Sequence, residues 1–252
     1  MLRFGLPPSL GIERLVDQTR ALRAALQAGL NQEVDVVVTR DYDALRQALL
    51  SGALDCAHAP PFVCAQVEPQ GVPIIARVVR RGCSTYASAF VVQRPARVKL
   101  TPRTLRAAWV DPQSVAGHLL PKAHLRAKRH VVEHFFLSET FYGSYTAALQ
   151  AVVDGAADVA GVHVIPGDAA SLGMALEAHL QGATQLLEPI ELTAEVPSDG
   201  VAARSDVDAP RLRRVLMGLP RALLSDVFQA DAFEKATPHG YRPLYAIAPP
   251  EL

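Results

Sequence analysis

Apolar positions along the chain follow two rhythms, a short alternating or continuous run and a longer one that returns every three or four residues. Residues 3–6 are a short apolar strand stopped by Pro7-Pro8. From 9 to 30, Ile12, Leu15, Leu22, Leu26 and Leu30 fall near one helical face while Arg20 and Arg23 turn outward, and Gly29 and Asn31 mark the end. Residues 34–38 are β-branched and strand-like. Asp41 can cap a helix through Leu50 that Gly52 stops. A strand at 54–57 breaks at Pro60-Pro61, and strands follow at 72–79 and 86–92.

Around Arg94-Pro95 the rhythm restarts. It predicts a strand at 105–110, a helix at 114–129, a strand at 134–137, a helix at 144–153 closed by Asp154-Gly155, a strand at 157–164 and a helix at 169–180. After Gln185 an extended stretch with Pro189 and Pro197 leads to 200–204, and helices at 208–224 and 226–235 finish the pattern. Strands separated by helices of this length predict an α/β protein with mostly parallel sheets flanked by helices. Because one half-pattern runs twice, two lobes fit better than one long sheet. Residues 1–93 plus 193–252 would form the first and 94–192 the second, with two hinge crossings near Gln93 and Leu192.

Composition narrows the function. Twenty-five basic residues balance 25 acidic ones, which argues against a nucleic-acid partner, whose phosphates demand a clustered basic excess. Cys56, Cys64 and Cys83 are an odd set without CxxC spacing, which suits a reducing compartment. The first residues lack the regions of a secretory signal, and no apolar run approaches a membrane span. As written, the chain reads as soluble and cytoplasmic, without direct membrane insertion. A signal removed beforehand would leave the same sequence and a periplasmic protein.

The best place for chemistry is Trp109-Val110-Asp111-Pro112-Gln113-Ser114-Val115-Ala116-Gly117-His118-Leu119-Leu120-Pro121. A strand ends, Pro112 turns the chain and Ser114 stands where a helix begins. Free amides of a first helical turn, backed by the helix dipole, favour an anion. Ser114 is equally suited to be a plain helix cap.

Asp111-Pro112-x-Ser114-x-x-Gly117-x-Leu119-Leu120-Pro121 resembles the phosphate-binding turn of the phosphate, phosphite and phosphonate-binding proteins that serve ABC importers. Leu45 through Asp55, the run Tyr86-Ala87-Ser88-Ala89-Phe90-Val91-Val92, the stretch from Phe141 to Val152, and His239-Gly240-Tyr241-Arg242-Pro243 resemble further family segments in the family's order. The resemblance implies a type II periplasmic-binding-protein-like fold that traps a small anionic molecule, phosphonate-like or a carboxylate, in an interlobe cleft. It implies no cofactor and no metal, and an ABC-importer membrane component as partner.

The contact positions it implies are Ser9, His58, Ala59 and Pro60 in the first lobe, and Tyr86, Ser114, Val115, Ala116, Gly117, Tyr145 and His163 in the second. Several depart from the family. Its Ser-Thr-Ser at the helix start is Ser114-Val115-Ala116 here, its histidine after Gly-Ser is Tyr145, and an acidic strand end is His163. Two hydroxyl donors and an ammonium acceptor are gone, so 2-aminoethylphosphonate is expected to bind poorly. His163 with His58 could receive a second anionic group or donate to a carbonyl.

Other signals are weaker. His130-Val131-Val132-Glu133-His134 has the H-x-x-E-H form of some zinc peptidases but runs into a β-rich stretch. With His118 and His124, these histidines read as an exposed helix face. Arg80-Arg81 reads first as a solvated strand end, with a salt bridge to a partner as the sharper alternative. Two other functions stay open on the same fold: a cytosolic enzyme of cofactor biosynthesis, and a cytosolic ligand sensor acting through a partner. No acid–base pair points to the first.

Overall fold

Two six-stranded sheets divide the chain. The structure, a computed structural model, describes residues 1–7, 12–165, 167–168, 170–245 and 247, with the backbone alone for 12–18. The first compact unit takes Met1–Thr85 and Pro197–Ala246, and the second takes Tyr86–Val196.

In chain order the first unit opens with β1 (Leu2–Leu6), α1 (Ile12–Leu30), β2 (Val34–Val38), α2 (Tyr42–Ser51), β3 (Cys56–Ala59), α3 (Pro61–Val67) and β4 (Ile74–Val79). The second holds β5 (Thr85–Gln93), β6 (Arg106–Trp109), a π-helical turn (Val115–Leu119) running into α4 (Leu120–Ala127), β7 (Ser138–Phe141), α5 (Tyr145–Val153), β8 (Val159–Val164), α6 (Ser171–His179), α7 (Ala183–Leu186), β9 (Leu187–Leu192) and β10 (Val196–Pro197). The chain then returns as β11 (Gly200–Ala203), α8 (Ala209–Met217), α9 (Arg221–Phe228), β12 (Ala232–Lys235) and α10 (Arg242–Tyr245).

Local chemistry explains most boundaries. Asp41 Oδ1 accepts the Ala44 amide at 2.7 Å to start α2, and Gly52 closes it in the left-handed region at φ 77°. Ser144 caps α5 in the same way through the Ala147 amide. Helix α3 was hidden by Pro60-Pro61, which reads as a breaker, although proline suits the first helical position because its missing N–H has no partner there. The strand expected at 134–137 is a 3-10 turn at Val132–His134 followed by β7. The last expected helix splits: α9 ends at Phe228 with Gln229 at φ 48°, and 232–235 is β12.

The first sheet runs β12-β4-β11-β3-β1-β2. β1 lies parallel to β2 with Leu2 opposite Val34, and parallel to β3 with Phe4 opposite Cys56. β11 is wedged antiparallel between β3 and β4, and β12 closes the edge on β4. The second sheet runs β10-β5-β8-β6-β7, with β9 also on β5. β6, β7 and β8 are mutually parallel, and β5 returns antiparallel to β8. Strand β5, placed by the sequence pattern before the restart at Pro95, belongs to the second sheet and moves the crossing to Thr85 and Tyr86.

Each unit buries its own core. Phe4, Leu22, Leu26, Val78, Val201, Leu212 and Phe228 fill the first. In the second, Ala89, Val91, Leu149 and Val162 pack on one sheet face and Phe90, Trp109, Leu125 and Phe135 on the other. Burial of such side chains, at about 25 cal/mol per Å² of apolar surface, is what holds each unit together.

Candidate functional site

Open α/β sheets bind ligands beyond the carboxyl ends of their parallel strands. In the second unit that edge begins after β6. Asp111 Oδ1 accepts the Gln113 amide at 2.8 Å, and the Ser114 amide donates to Asp111 O at 3.0 Å, which fixes the turn at Pro112. Ser114 then caps the helix, its Oγ accepting from the Gly117 amide at 3.2 Å.

The first turn is wound wider than an α-helix. Its first intrahelical bond runs from the Leu119 amide to Ser114 O at 3.0 Å, where α-winding would use His118. One more amide therefore precedes the first bond than in an ordinary helix. Those of Val115, Ala116 and His118 have no acceptor among the described residues. The side chains of Val115 and Ala116 are buried, so these residues offer main chain alone.

Two neighbours seat this turn on the sheet. Buried Ser88 of β5 donates its hydroxyl to Ala116 O at 2.6 Å. On β8, Gly161 lets the turn come close: a Cβ there would stand 2.7 Å from Ala116 O. Gly117 is equally constrained, since a Cβ would meet Val110 at 2.5 Å and Ser114 Oγ at 2.7 Å. Ser88 was not singled out by the sequence pattern, although a hydroxyl inside Ala-Ser-Ala-Phe on a buried strand signals a polar group that must find a partner.

His163 lies opposite Ser88 across the β5–β8 pair, next to the seated turn. Tyr145, the first residue of α5, meets the His163 ring edge-on at 5.7 Å and stacks on His179 at 4.6 Å and 17°. His163 and His179 are 5.5 Å apart at a steep angle. Thr146 ties this group together by donating to His179 O at 2.8 Å. Burial pulls the His179 pKa below its ordinary value and favours the neutral ring, and its Nε2 has no partner among the described residues. The second unit thus brings Tyr145 and His163 together and adds His179, which no spacing signal had marked. Tyr86 is half-buried near the start of β5.

The expected residues of the first unit fare differently. Ser9 lies outside the described residues. His58, Ala59 and Pro60 stand where the carboxyl end of β3 passes into α3. Ala59 is buried, its carbonyl facing Cys64 Sγ at 3.3 Å, and Pro60 precedes α3 without a side-chain bond. His58 is only 6% exposed, edge-on to Phe228 at 5.1 Å. Burial pushes its pKa down to about 4, against a smaller upward pull from Asp199, so the ring is neutral near pH 7. It cannot hold a second anion by charge.

Two residues of this edge were missed or misread. Arg80 is not a solvated strand end: its guanidinium pairs with Asp199, and donates to Gln229 O at 2.8 Å and Phe228 O at 3.2 Å. Asp199, just before β11, brings its Oδ2 within 3.9 Å of His58 Nε2. The pairing joins residues 119 positions apart, so no local pattern announces it. The other histidines are not one exposed face. His118 packs against Trp109 and Phe141, and His124 bonds Glu191 at 2.7 Å. His130 precedes the 3-10 turn and His134 is its last residue, so the two do not share a longer helix, and Glu133 pairs with Arg126.

Comparison with known proteins adds the lineage. A family model described as "ABC transporter, phosphonate, periplasmic substrate-binding protein" matches residues 4–241. Among solved structures, a Xanthomonas citri protein determined with chloride superposes with a TM-score of 0.78 at 18% identity, covering 98% of this chain and 96% of that one, and the same protein is also known with ATP. The binding-protein component of a Pseudomonas aeruginosa ABC phosphonate transporter gives 0.75 at 18% identity, with 98% and 84% covered. PhnD1 of Prochlorococcus marinus, in complex with methylphosphonate, gives 0.76 at 20%, with 98% and 96% covered. At these identities the structures speak for the fold alone.

Proposed function

The chain belongs to the family of periplasmic substrate-binding proteins of phosphonate ABC transporters, and from that premise we propose that it traps a small oxyanion on the main chain of the Ser114 turn. The observation that carries this reading is the π-wound helix start, with the amides of Val115, Ala116 and His118 ahead of the first intrahelical bond. Aligned amides at a positive helix end stabilise a phosphonate, phosphite, phosphate or carboxylate without any side-chain charge. Ser114 Oγ, already accepting from Gly117, donates its own hydrogen to the anion. Tyr86, Tyr145 and His163 flank the body of the ligand. The protein is a carrier and not a catalyst, and hands its ligand to an importer's membrane component.

The compartment proposed is the family's, the periplasm. No helix among the described residues is long and apolar enough to cross a membrane. The odd cysteine count weighs little against it, because Cys56 and Cys64 are buried and burial pushes both thiols up, away from the reactive thiolate.

Titration calorimetry with phosphate, phosphite, methylphosphonate, 2-aminoethylphosphonate and small carboxylates tests the reading. At least one oxyanion should bind at micromolar concentration or tighter, and 2-aminoethylphosphonate at least about tenfold more weakly than the best of them, a gap of roughly 1.4 kcal/mol. Silence across the whole panel would overturn the reading.

A further inference from the structure

The amides that open the Ser114 turn can hold an anion only if the chain ahead of them keeps still, and one peptide unit decides that. The plane between Pro112 and Gln113 lies outside both the helix and the sheet. Its N–H end donates to Asp111 Oδ1 at 2.8 Å. Its carbonyl end, Pro112 O, stands 2.9 Å from Nδ1 of His118, six residues on. A carbonyl oxygen only accepts, so this ring nitrogen carries the hydrogen and donates it. Other acceptors of the turn are taken by the fold itself: Ser114 O by the Leu119 amide, Val115 O by the Leu120 amide and Ala116 O by Ser88. Among the described residues, Pro112 O has the His118 ring alone.

That imidazole has little freedom. It meets the Trp109 ring at 5.6 Å and the Phe141 ring edge-on at 5.0 Å. Trp109 is fixed in turn, its indole N–H donating to Glu139 Oε2 at 2.6 Å, while Lys122 Nζ donates to Glu139 Oε1 at 2.7 Å. Burial pulls the His118 pKa below its ordinary value, against an upward pull from the Pro112 bond; Lys122, Glu139 and Asp111 are the charged groups that face the ring. A neutral imidazole has one N–H, and here Pro112 receives it. The π-winding completes the arrangement. An α-wound start would tie the His118 amide to Ser114 O, whereas here the main-chain N–H of His118 stays free and its ring N–H braces the chain ahead.

Resting on the reading of this turn as an anion trap, we propose that the His118 imidazole is the trap's positioning residue. By holding Pro112 O it fixes the Pro112–Gln113 peptide, and with it the directions of the Val115, Ala116 and His118 amides. It touches no part of the ligand. The donors are organised before the anion arrives, so the effect is the same for every oxyanion head.

Titration calorimetry of the whole protein with phosphate, phosphite, methylphosphonate and acetate tests this, beside thermal melts. His118→Phe keeps a ring between Trp109 and Phe141 and removes the donor. Pro112 is exposed, so water can take over its carbonyl, and the variant should melt close to the parent. It should nevertheless bind each oxyanion that the parent binds about tenfold more weakly, with the order of preference unchanged. His118→Asn and His118→Leu are of one size and differ in the donor, the Asn amide nitrogen standing on Cγ where Nδ1 stood. Both should melt lower for want of a ring, yet Asn should recover most of the lost affinity and Leu should bind about tenfold more weakly than Asn. A nitrogen NMR spectrum of the parent should show His118 protonated at Nδ1. Equal affinity of His118→Phe and the parent, equal affinity of the Asn and Leu variants, or an Nε2–H tautomer overturns the inference while the anion-trap reading stands. So does a loss that falls on one oxyanion and spares the others, since the ring would then touch the ligand. Should His118→Phe fail to fold, the comparison of Asn with Leu decides. If no probe binds the parent, the functional reading falls and takes this inference with it.

Discussion

Gly161 and His58 show how much single positions decide. Adding a methyl group at 161 drives it to 2.7 Å from Ala116 O and 3.0 Å from Pro121, so either β8 or the helix start must move. Gly161→Ala should cost about 1–3 kcal/mol of stability as overpacking does. It should also weaken oxyanion binding more than Ser114→Ala, read by calorimetry beside a thermal melt. His58 makes its mark through pH. The folded ring has a pKa near 4 while the unfolded one keeps its ordinary value near 6.5, so between these the unfolded state binds more protons and stability falls as pH falls. The loss attributable to His58 should approach about 3 kcal/mol at pH 4. His118, His124 and His179, also held down by burial, add to the same slope. Urea titrations across pH 4–7 should therefore show a shallower dependence in His58→Phe, and equal slopes would mean that the ring charges while folded. Neither residue was legible beforehand in these terms. Gly161 sits in an ordinary apolar run, and the burial of His58 depends on Phe228, far along the chain.

Among elements, the π-wound turn after Ser114 carries the function, and only part of it could be read in advance. Asp111-Pro112 and Ser114 announce a helix start because their chemistry is local: an Asx turn, a fixed φ, a hydroxyl cap. The wider winding was not announced. It reflects what the turn is pressed against, namely Ser88 on Ala116 O and the bare Cα of Gly161, both set by strand pairing. The same division runs through the rest of the fold. Helices α2 and α5, with caps of their own, fall within a residue of where the sequence places them. Strand β12 was missed, and β9 was read only as an extended stretch, because their strand character comes from the neighbours they pair with, β4 and β5. Ser114→Ala tests the local part. Losing the cap should lower stability by about 1 kcal/mol, and oxyanion affinity should drop only a few-fold, since three amides remain. A loss of a hundredfold or more would mean that the hydroxyl and not the main chain holds the ligand. Ser88→Ala tests the tertiary part. It leaves Ala116 O without its partner, and its affinity loss should exceed that of Ser114→Ala in the same titration.

For the molecule as a whole, the α/β class and the division into two units came from a pattern that runs twice. The crossing point did not, since β5 continues the apolar rhythm of β4 in sequence yet pairs with β8 and β9 of the second unit. Strand β11 has a further consequence, one of time. It lies between β3 and β4, yet it is made only after the entire second unit. A chain growing from its N-terminus therefore exposes two unpaired strand edges through more than a hundred residues of synthesis, and the first unit cannot close until Gly200–Ala203 arrive. The second unit has no such dependence on later sequence for β6, β7 and β8. A chain ended at residue 195 should accordingly keep Trp109, the sole tryptophan, buried with a blue-shifted emission. Its amides in β1, β3 and β4 should exchange with solvent at nearly unfolded rates, and protection there would show that the first sheet assembles without its central strand. The last-made part of the first unit thus acts as a latch on translation order: the portion synthesised first is the portion that finishes folding last.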